Sequence, residues 1–354
     1  MQIKIKKFNI IFFVNKGIST PTARFRGYFF SKKIKSKNIK SHVYKVDEIY
    51  KRYDFSFKRL KKIREYFHKI KNTKKNDIIY LVKTVYNIDF LLVVIMAKLF
   101  LKKKVIFDFD DAIYLKPFTK ISTLILVGIS DIVIVGSNTL LKWAKKRNTN
   151  TYKLPTSIPH DEYKKKYFLK KNKIFTIGWI GNGTNHYKNL IIMKPIFEKL
   201  INKKINFQFK LIGLAKNKKI SNFFDSIDGL NFEYKNHIKW KNTSSVVKEL
   251  NYFDVGIMPL VKDKKTLAKC AFKIIEYMGA GIPVIASPVG ENNVVIDHKV
   301  NGFLCKKEKD WVETFVKLKK EKKFKKEIIL NAFENIRRNY SLESNMHKLF
   351  RILK

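Results

Sequence analysis

Three carboxylates, Asp108, Asp110 and Asp111, fall within four residues directly after the apolar run at 105–107. The chain is otherwise poor in acids, with 29 Asp and Glu against 75 Lys and Arg. Acids grouped at the end of a strand can serve three chemistries. Asp108–Phe109–Asp110 spells D-x-D, a spacing that can hold a divalent metal to a diphosphate. A D-x-D-x-T sequence can supply a phosphoryl-transfer nucleophile. Here Ala112 stands in the Thr position, and the motif closes a fourth strand instead of opening a domain. The third chemistry is to orient a hydroxyl and stabilise positive charge developing at a reacting carbon, where electrostatic preorganisation is usually worth several kcal/mol. An Asp at this place can also simply cap the next helix.

A second constellation lies at 254–304. A strand ends at Pro259, a polar loop follows, and the pattern predicts a helix from about Lys269 to Met278, ended by Gly279 and Gly281 next to Pro283. On such a helix Lys269, Lys273 and Glu276 stand at i, i+4 and i+7 and share one face. The strand PVIAS then turns at 288–290, through Gly290, into another helix start. Two cations and a carboxylate beside a glycine-bearing turn suit a diphosphate and a ribose: ammonium groups neutralise phosphate oxygens, and a carboxylate accepts from vicinal hydroxyls. A solvated face with a Lys–Glu pair has the same spacing. The loop after the first strand, with Gly17 and Ser19 and then Arg24 and Arg26, is a usual place for phosphate or acceptor contact. The two arginines are two apart, so on a helix they would not share a face. The seven histidines show no metal spacing and no Ser-His-Asp arrangement is evident.

These residues must be held by alternating elements. Strands are predicted at 8–14, 41–46, 77–82, 104–109 and 131–136, then at 174–180, 206–212, 232–235, 254–258 and 283–286. Each is nearly continuous in apolar residues and is followed by a helix-length segment, the pattern of parallel sheets covered on both faces. The fold class is therefore α/β, doubly wound. The alternation pauses at 155–172, which carries two prolines and many charges. The expected division is a first domain at 1–158, a linker at 159–171 and a second domain at 172–335, with a final helix at 341–354 packing back on the first. Two such domains would direct the carboxyl ends of their strands toward a shared interdomain cleft.

Composition bounds the partners. At 354 residues and 45% hydrophobic, the chain has the makings of two cores. Cys270 and Cys305 make neither a disulfide framework nor a metal spacing, so a reducing cytoplasm is expected. The net charge of +46 draws polyanions without sequence preference, but no nucleic-acid reader motif accompanies it. Residues 57–75 combine Phe57, Leu60, Ile63, Phe67 and Ile70 at helical spacing with nine Lys or Arg and one Glu. Such a helix lies readily on anionic lipid, although a helix packed on a core reads similarly. The run 90–101 is broken by Lys98 and is too short for a bilayer, which needs about 20 apolar residues. Membrane contact, where it exists, is then peripheral.

The segment 254–304, with KCAFKIIEYMGAGIPV at its centre, resembles the donor-binding region of the group 1, family 4 glycosyltransferases of GT-B fold, in their bacterial surface-polysaccharide branch. TARFRGY (22–28), DIIYLVK (77–83), FDFDDAIY (107–114), DIVIVGSNTL (131–140), KLPTSIP (153–159) and IGWIGN (177–182) follow that branch's pattern in order. The resemblance implies two Rossmann-like domains and retaining transfer from a nucleotide-sugar, which is a co-substrate and no resident cofactor. It implies no metal, and a glycan or lipid-linked glycan as acceptor. It assigns Glu276 to the donor ribose, and Lys269, Lys273, Gly181, Asn182 and Gly290 to the donor site. Gly17, Ser19, Arg24 and Arg26 fall to the acceptor or phosphate loop, and Asp108, Asp110 and Asp111 to the sugar or acceptor hydroxyl. Ala268 stands where the wider family has a first glutamate, which keeps an inactive homologue in view. Two domains with this signature argue against the single-domain GT-A fold in which D-x-D holds a metal. The expected location is the inner face of the cell membrane.

Overall fold

A computed structural model describes residues 8–36, 39–46, 57–164 and 173–353. The chain divides into two compact units, Met1–Thr156 with Asn345–Lys354, and Ser157–Ser344.

The first unit is built on six parallel strands: β1 (Ile10–Asn15), β2 (Ser41–Val46), β3 (Ile78–Val82), β4 (Lys104–Phe109), β5 (Ile132–Val135) and β6 (Thr151–Lys153). Their spatial order is β2-β1-β3-β4-β5-β6. The central strands are Ile, Val and Phe runs buried along their whole length, as strands covered on both faces require. Three helices that matter below are α1 (Phe57–Lys71), α2 (Ile88–Leu99) and α3 (Pro117–Ile129). The helix α2 is capped by Asn87, whose side chain accepts from the Phe90 N–H, and α3 opens on Pro117.

The second unit repeats the plan with β7 (Phe175–Ile180), β8 (Phe207–Ile212), β9 (Phe232–Lys235), β10 (Val255–Met258), β11 (Val284–Ala286) and β12 (Phe303–Leu304), in the order β12-β11-β10-β7-β8-β9. Counted within the unit, that is the doubly wound order 3-2-1-4-5-6, whereas the first sheet follows 2-1-3-4-5 with β6 added. Each order reverses once, between β7 and β10 in the second sheet and between β1 and β3 in the first. Ligands of open α/β sheets bind outside the strand ends at that reversal. The aromatic core of the second unit, with Phe197 and Phe224 each 4.9 Å from Phe209, fixes β8 under its helices.

Three readings of the sequence change, and the final helix is found where it was expected. The helix predicted from about Lys269 begins three residues later: α6 (Phe272–Gly279) starts after Ala271, which sits at φ 53°, and the preceding polar loop holds a short α5 (Lys264–Leu267) opened by a capping box between Asp263 and Thr266. Periodicity misses the later start because no Gly or Pro marks it. The expected linker holds a short helix, α4 (His160–Lys164), inside the second unit, and 165–172 lie outside the described residues. The final helix, α7 (Leu342–Leu353), has its residues from Asn345 onward in the first unit, where the Asn345 amide donates to the Pro155 carbonyl at 2.7 Å. On α1, Tyr66 and Ile70 are buried while Phe57 and Leu60 stand in solvent, so only its last turns pack on the core.

Candidate active site

At the reversal of the second sheet, β7 ends at Ile180 and passes through Gly181. A Cβ on Gly181 would lie 2.5 Å from Lys273 Cε and 3.1 Å from its Nζ, so the missing side chain is the space the Lys273 ammonium occupies. That ammonium also stands 5.0 Å from the centre of the Trp179 ring, a cation–π distance. Lys273 is held there by α6, whose Tyr277 ring covers Gly256 of β10, where a Cβ would meet it at 2.6 Å. The Tyr277 hydroxyl accepts from the Ile180 N–H at 3.0 Å, tying α6 to the end of β7.

Lys269 lies outside the helix, in the bend between α5 and α6, yet its ammonium reaches the same place: Nζ is 3.3 Å from His186 Nε2. His186 packs edge-on against Trp179. Burial, then Lys273 and Lys269, push its pKa well below the ordinary histidine value, so the ring is neutral. Two ammonium groups and a neutral imidazole thus converge beside a glycine at the end of β7. Two ammonium groups at one place offer a diphosphate charge-assisted hydrogen bonds. The sequence reading passed over His186; its only sequence signal is its place in the turn after β7.

Glu276 is buried on the same helix and accepts from the Tyr163 hydroxyl at 2.8 Å. Tyr163 comes from α4, the segment read as linker. Ala268 is fully buried at the end of α5. Asn182 is exposed, and its side-chain oxygen caps the next turn through the Thr184 N–H at 2.9 Å. Gly290, at φ 57°, lets its turn approach the Leu267 carbonyl, which a Cβ would meet at 2.6 Å.

The acids of the first unit separate. Asp108 is fully buried and taken up by Arg26, whose Nε donates at 2.6 Å, and by the Tyr80 hydroxyl at 2.7 Å. Arg26 also donates to the Leu154 carbonyl at 2.9 Å and to the Thr156 hydroxyl at 3.3 Å. Burial works against the Arg26 charge, but Asp108, Tyr80 and Asp110 outweigh it and the guanidinium stays protonated. Asp110 accepts from the Thr22 hydroxyl at 2.8 Å and lies 3.7 Å from Lys83, which also pairs with Asp111. Thr22 and Arg26 are one helical turn apart, facing Asp110 and Asp108 two residues apart. Arg26 lies in the π-helical turn Arg24–Tyr28 and Asp110 just past the end of β4, so one short helical segment pairs with both acids. Burial and then Lys83, Asp111 and Arg26 set the Asp110 pKa, with burial and Asp111 raising it above the ordinary carboxylate value.

The D-x-D carboxylates therefore do not converge on one point: Asp108 turns to Arg26 and Tyr80, Asp110 to Thr22 and Lys83. Arg24 is buried with its guanidinium 4.7 Å from the Phe25 ring. Gly17 accepts from the Thr20 N–H and hydroxyl, both at 3.0 Å, closing the turn after β1 on which Ser19 is exposed.

Residues 174–321 match the family model described as glycosyl transferases group 1. Among solved structures, a glycosyltransferase from Rickettsia africae aligns at TM-score 0.72 and 16% identity, over 99% of this chain and 98% of that one. Anabaena HepE in complex with UDP aligns at 0.67 and 13%, over 98% and 99%. The sucrose-phosphate synthase of Thermosynechococcus elongatus aligns at 0.71 and 11%, over 97% and 98%. Among curated protein sequences, none matches. The family match is confined to 174–321, while the GT-B fold spans the chain.

Proposed function

We propose that this chain acts as a group 1 glycosyltransferase, moving a sugar from a UDP-sugar to a hydroxyl of a glycan or lipid-linked glycan, with retention at the anomeric carbon and without a metal. The observation that carries the reading is the convergence of Lys269, Lys273 and His186 beside Gly181 at the reversal of the second sheet. Cations at that place suit a diphosphate. UDP is favoured as the nucleotide because structures of HepE are complexes with UDP and with UDP-glucose.

In this reading the two lysines neutralise the diphosphate, and Glu276, oriented by Tyr163, accepts from the ribose hydroxyls. The acceptor oxygen bonds to the anomeric carbon on the face from which UDP departs. The carbon–oxygen bond to the β-phosphate breaks with its electron pair going to UDP, and that phosphate takes the acceptor proton. Asp110 and Asp111 orient the acceptor hydroxyl and stabilise the oxocarbenium-like charge. Asp108 holds Arg26, which shapes the β1 loop carrying Gly17 and Ser19. The setting is surface-polysaccharide synthesis at the inner face of the cell membrane, by a peripheral, cytoplasmic enzyme.

A thermal-shift panel tests the donor: UDP-sugars raise the melting temperature increasingly with the logarithm of their concentration above Kd, and an oligonucleotide does not. The opposite pattern replaces the reading with a polyanion binder. Product analysis with acceptor glycans tests transfer, and Asp110→Asn is expected to lower kcat at saturating substrates; unchanged transfer removes that role. Buried Ala268, in the place of a family glutamate, supports a second reading, a homologue that binds donor without transferring it. Donor-induced stabilisation with no product from any acceptor is its signature.

A further inference from the structure

The first unit carries an apolar surface that its own core does not use. On α2, Leu92, Met96, Leu99 and Phe100 are exposed at successive helical turns, forming one outward stripe. On α3, Phe118 and Ile121 stand out in the same way, Phe118 being 94% exposed. The two helices pack side by side. Both follow strands of one parallel sheet, so they run in the same direction and begin at the same edge. The loops that lead into them meet, with Lys116 Nζ 3.4 Å from the Tyr86 hydroxyl. Exposed single hydrophobics are ordinary; a contiguous patch on adjoining helices marks a contact surface.

The charge around this surface is predominantly positive, with exposed Asp111 at one edge and Glu65 on α1. Between them α2 and α3 contain a single acid, Asp89. Its carboxylate is buried in a two-point ion pair with Arg59 of α1, at 2.7 and 2.6 Å. Exposed Lys102, Lys116 and Lys120 flank the stripes, and α1, joined through that ion pair, adds exposed Lys61, Lys62 and Arg64. A second copy of the chain would bring the same cations against these. An anionic bilayer accepts the apolar side chains into its interface and gives the lysines their counter-charge.

We infer that the outer faces of α2 and α3 are a docking surface for an anionic phospholipid bilayer, with α1 as its basic flank. This places the lipid contact on residues beyond the basic helix. The edge where α2 and α3 begin is the strand edge that carries Lys83, Asp110 and Asp111. A lipid-anchored acceptor held in this layer is therefore delivered to those carboxylates, a step that rests on the proposed transferase reading. The docking itself does not depend on it.

Vesicle flotation with the full chain tests the surface, using phosphatidylglycerol/phosphatidylcholine mixtures against phosphatidylcholine alone. The chain is expected to float with the mixed vesicles. The triple variant Leu92→Ser/Phe100→Ser/Phe118→Ser is expected to lose at least tenfold in binding, with unchanged melting temperature and unchanged UDP affinity. Phe118→Trp supplies a reading that needs no loss of function: the emission of the introduced indole shifts to the blue when mixed vesicles are added. Equal flotation of the triple variant overturns the inference, as does an indole emission in the Phe118→Trp variant that vesicles leave unmoved. A wild-type dimer in sedimentation that the triple variant converts to monomer also overturns it, in favour of a second copy. Flotation without any response to UDP-sugars keeps the docking and removes the transferase reading; the reverse result keeps the transferase and removes the docking.

Discussion

The two sheets put charged residues at the same topological address and use them in opposite ways. Beside the reversal of the first sheet, Arg26 and Asp108 close on each other, with Tyr80, Leu154 and Thr156 adding hydrogen bonds. At the reversal of the second, like-charged Lys269 and Lys273 are drawn together around a histidine they keep neutral. A paired buried charge is a structural element, because desolvation is offset within the protein. Like charges gathered at a strand end offer an anion two cationic donors, and so suit a binding site. The difference teaches that a strand-end location alone does not assign a role; the sign of the neighbours does.

That contrast can be broken first at its structural end. Arg26→Ala leaves Asp108 buried without its cation, and one-sided removal of a buried ion pair costs about 3–5 kcal/mol. The urea midpoint should fall accordingly, and a midpoint within experimental error of wild type would mean that the pair is not a structural element. At the binding end, the expected effect of Lys273→Ala is on UDP affinity. It should weaken UDP by about ten- to a hundredfold, the worth of roughly 1.5–3 kcal/mol for a hydrogen bond to a charged group. Titration calorimetry reads this directly.

Gly181→Ala acts at both ends at once: at φ 158° a side chain strains the backbone, and the methyl would meet Lys273 Cε at 2.5 Å and Trp179 Cη2 at 3.0 Å, so both UDP affinity and the urea midpoint should fall. The smallest effect is a pH dependence. Unfolded, His186 takes up its proton near the ordinary value of 6.5; folded, it does so only at lower pH. The stability it contributes is present above that ordinary value and lost as pH falls toward the folded one. His186→Asn, neutral at every pH, should flatten the acid limb of the stability profile. An unchanged limb would assign the acid sensitivity to other groups.

Much of the architecture was legible. All ten predicted strands are present; the central ones were legible because strands buried on both faces must be apolar along their length, whereas β2 and β9 are partly exposed. The two that were missed, β6 and β12, have three and two residues, too few to show a pattern. The break at 268–271 escaped notice because AKCA carries no Gly or Pro, although the backbone bends there through Ala271 at φ 53°. The partner of Glu276 escaped for another reason. Tyr163 is 113 residues away in sequence, inside a charged stretch that reads as linker.

The sequence by itself determined the alternation of strand and helix, the doubly wound class, the basic character of α1 and the motif around Lys273 and Glu276. Each rests on periodicity, composition or local spacing, which a linear string carries. Only the tertiary structure decided that Asp108 belongs to Arg26, that Lys269 reaches His186 from outside a helix, and that α2 and α3 share one apolar face. Those facts depend on which side chains meet across long sequence separations, and burial and charge take their meaning from that meeting.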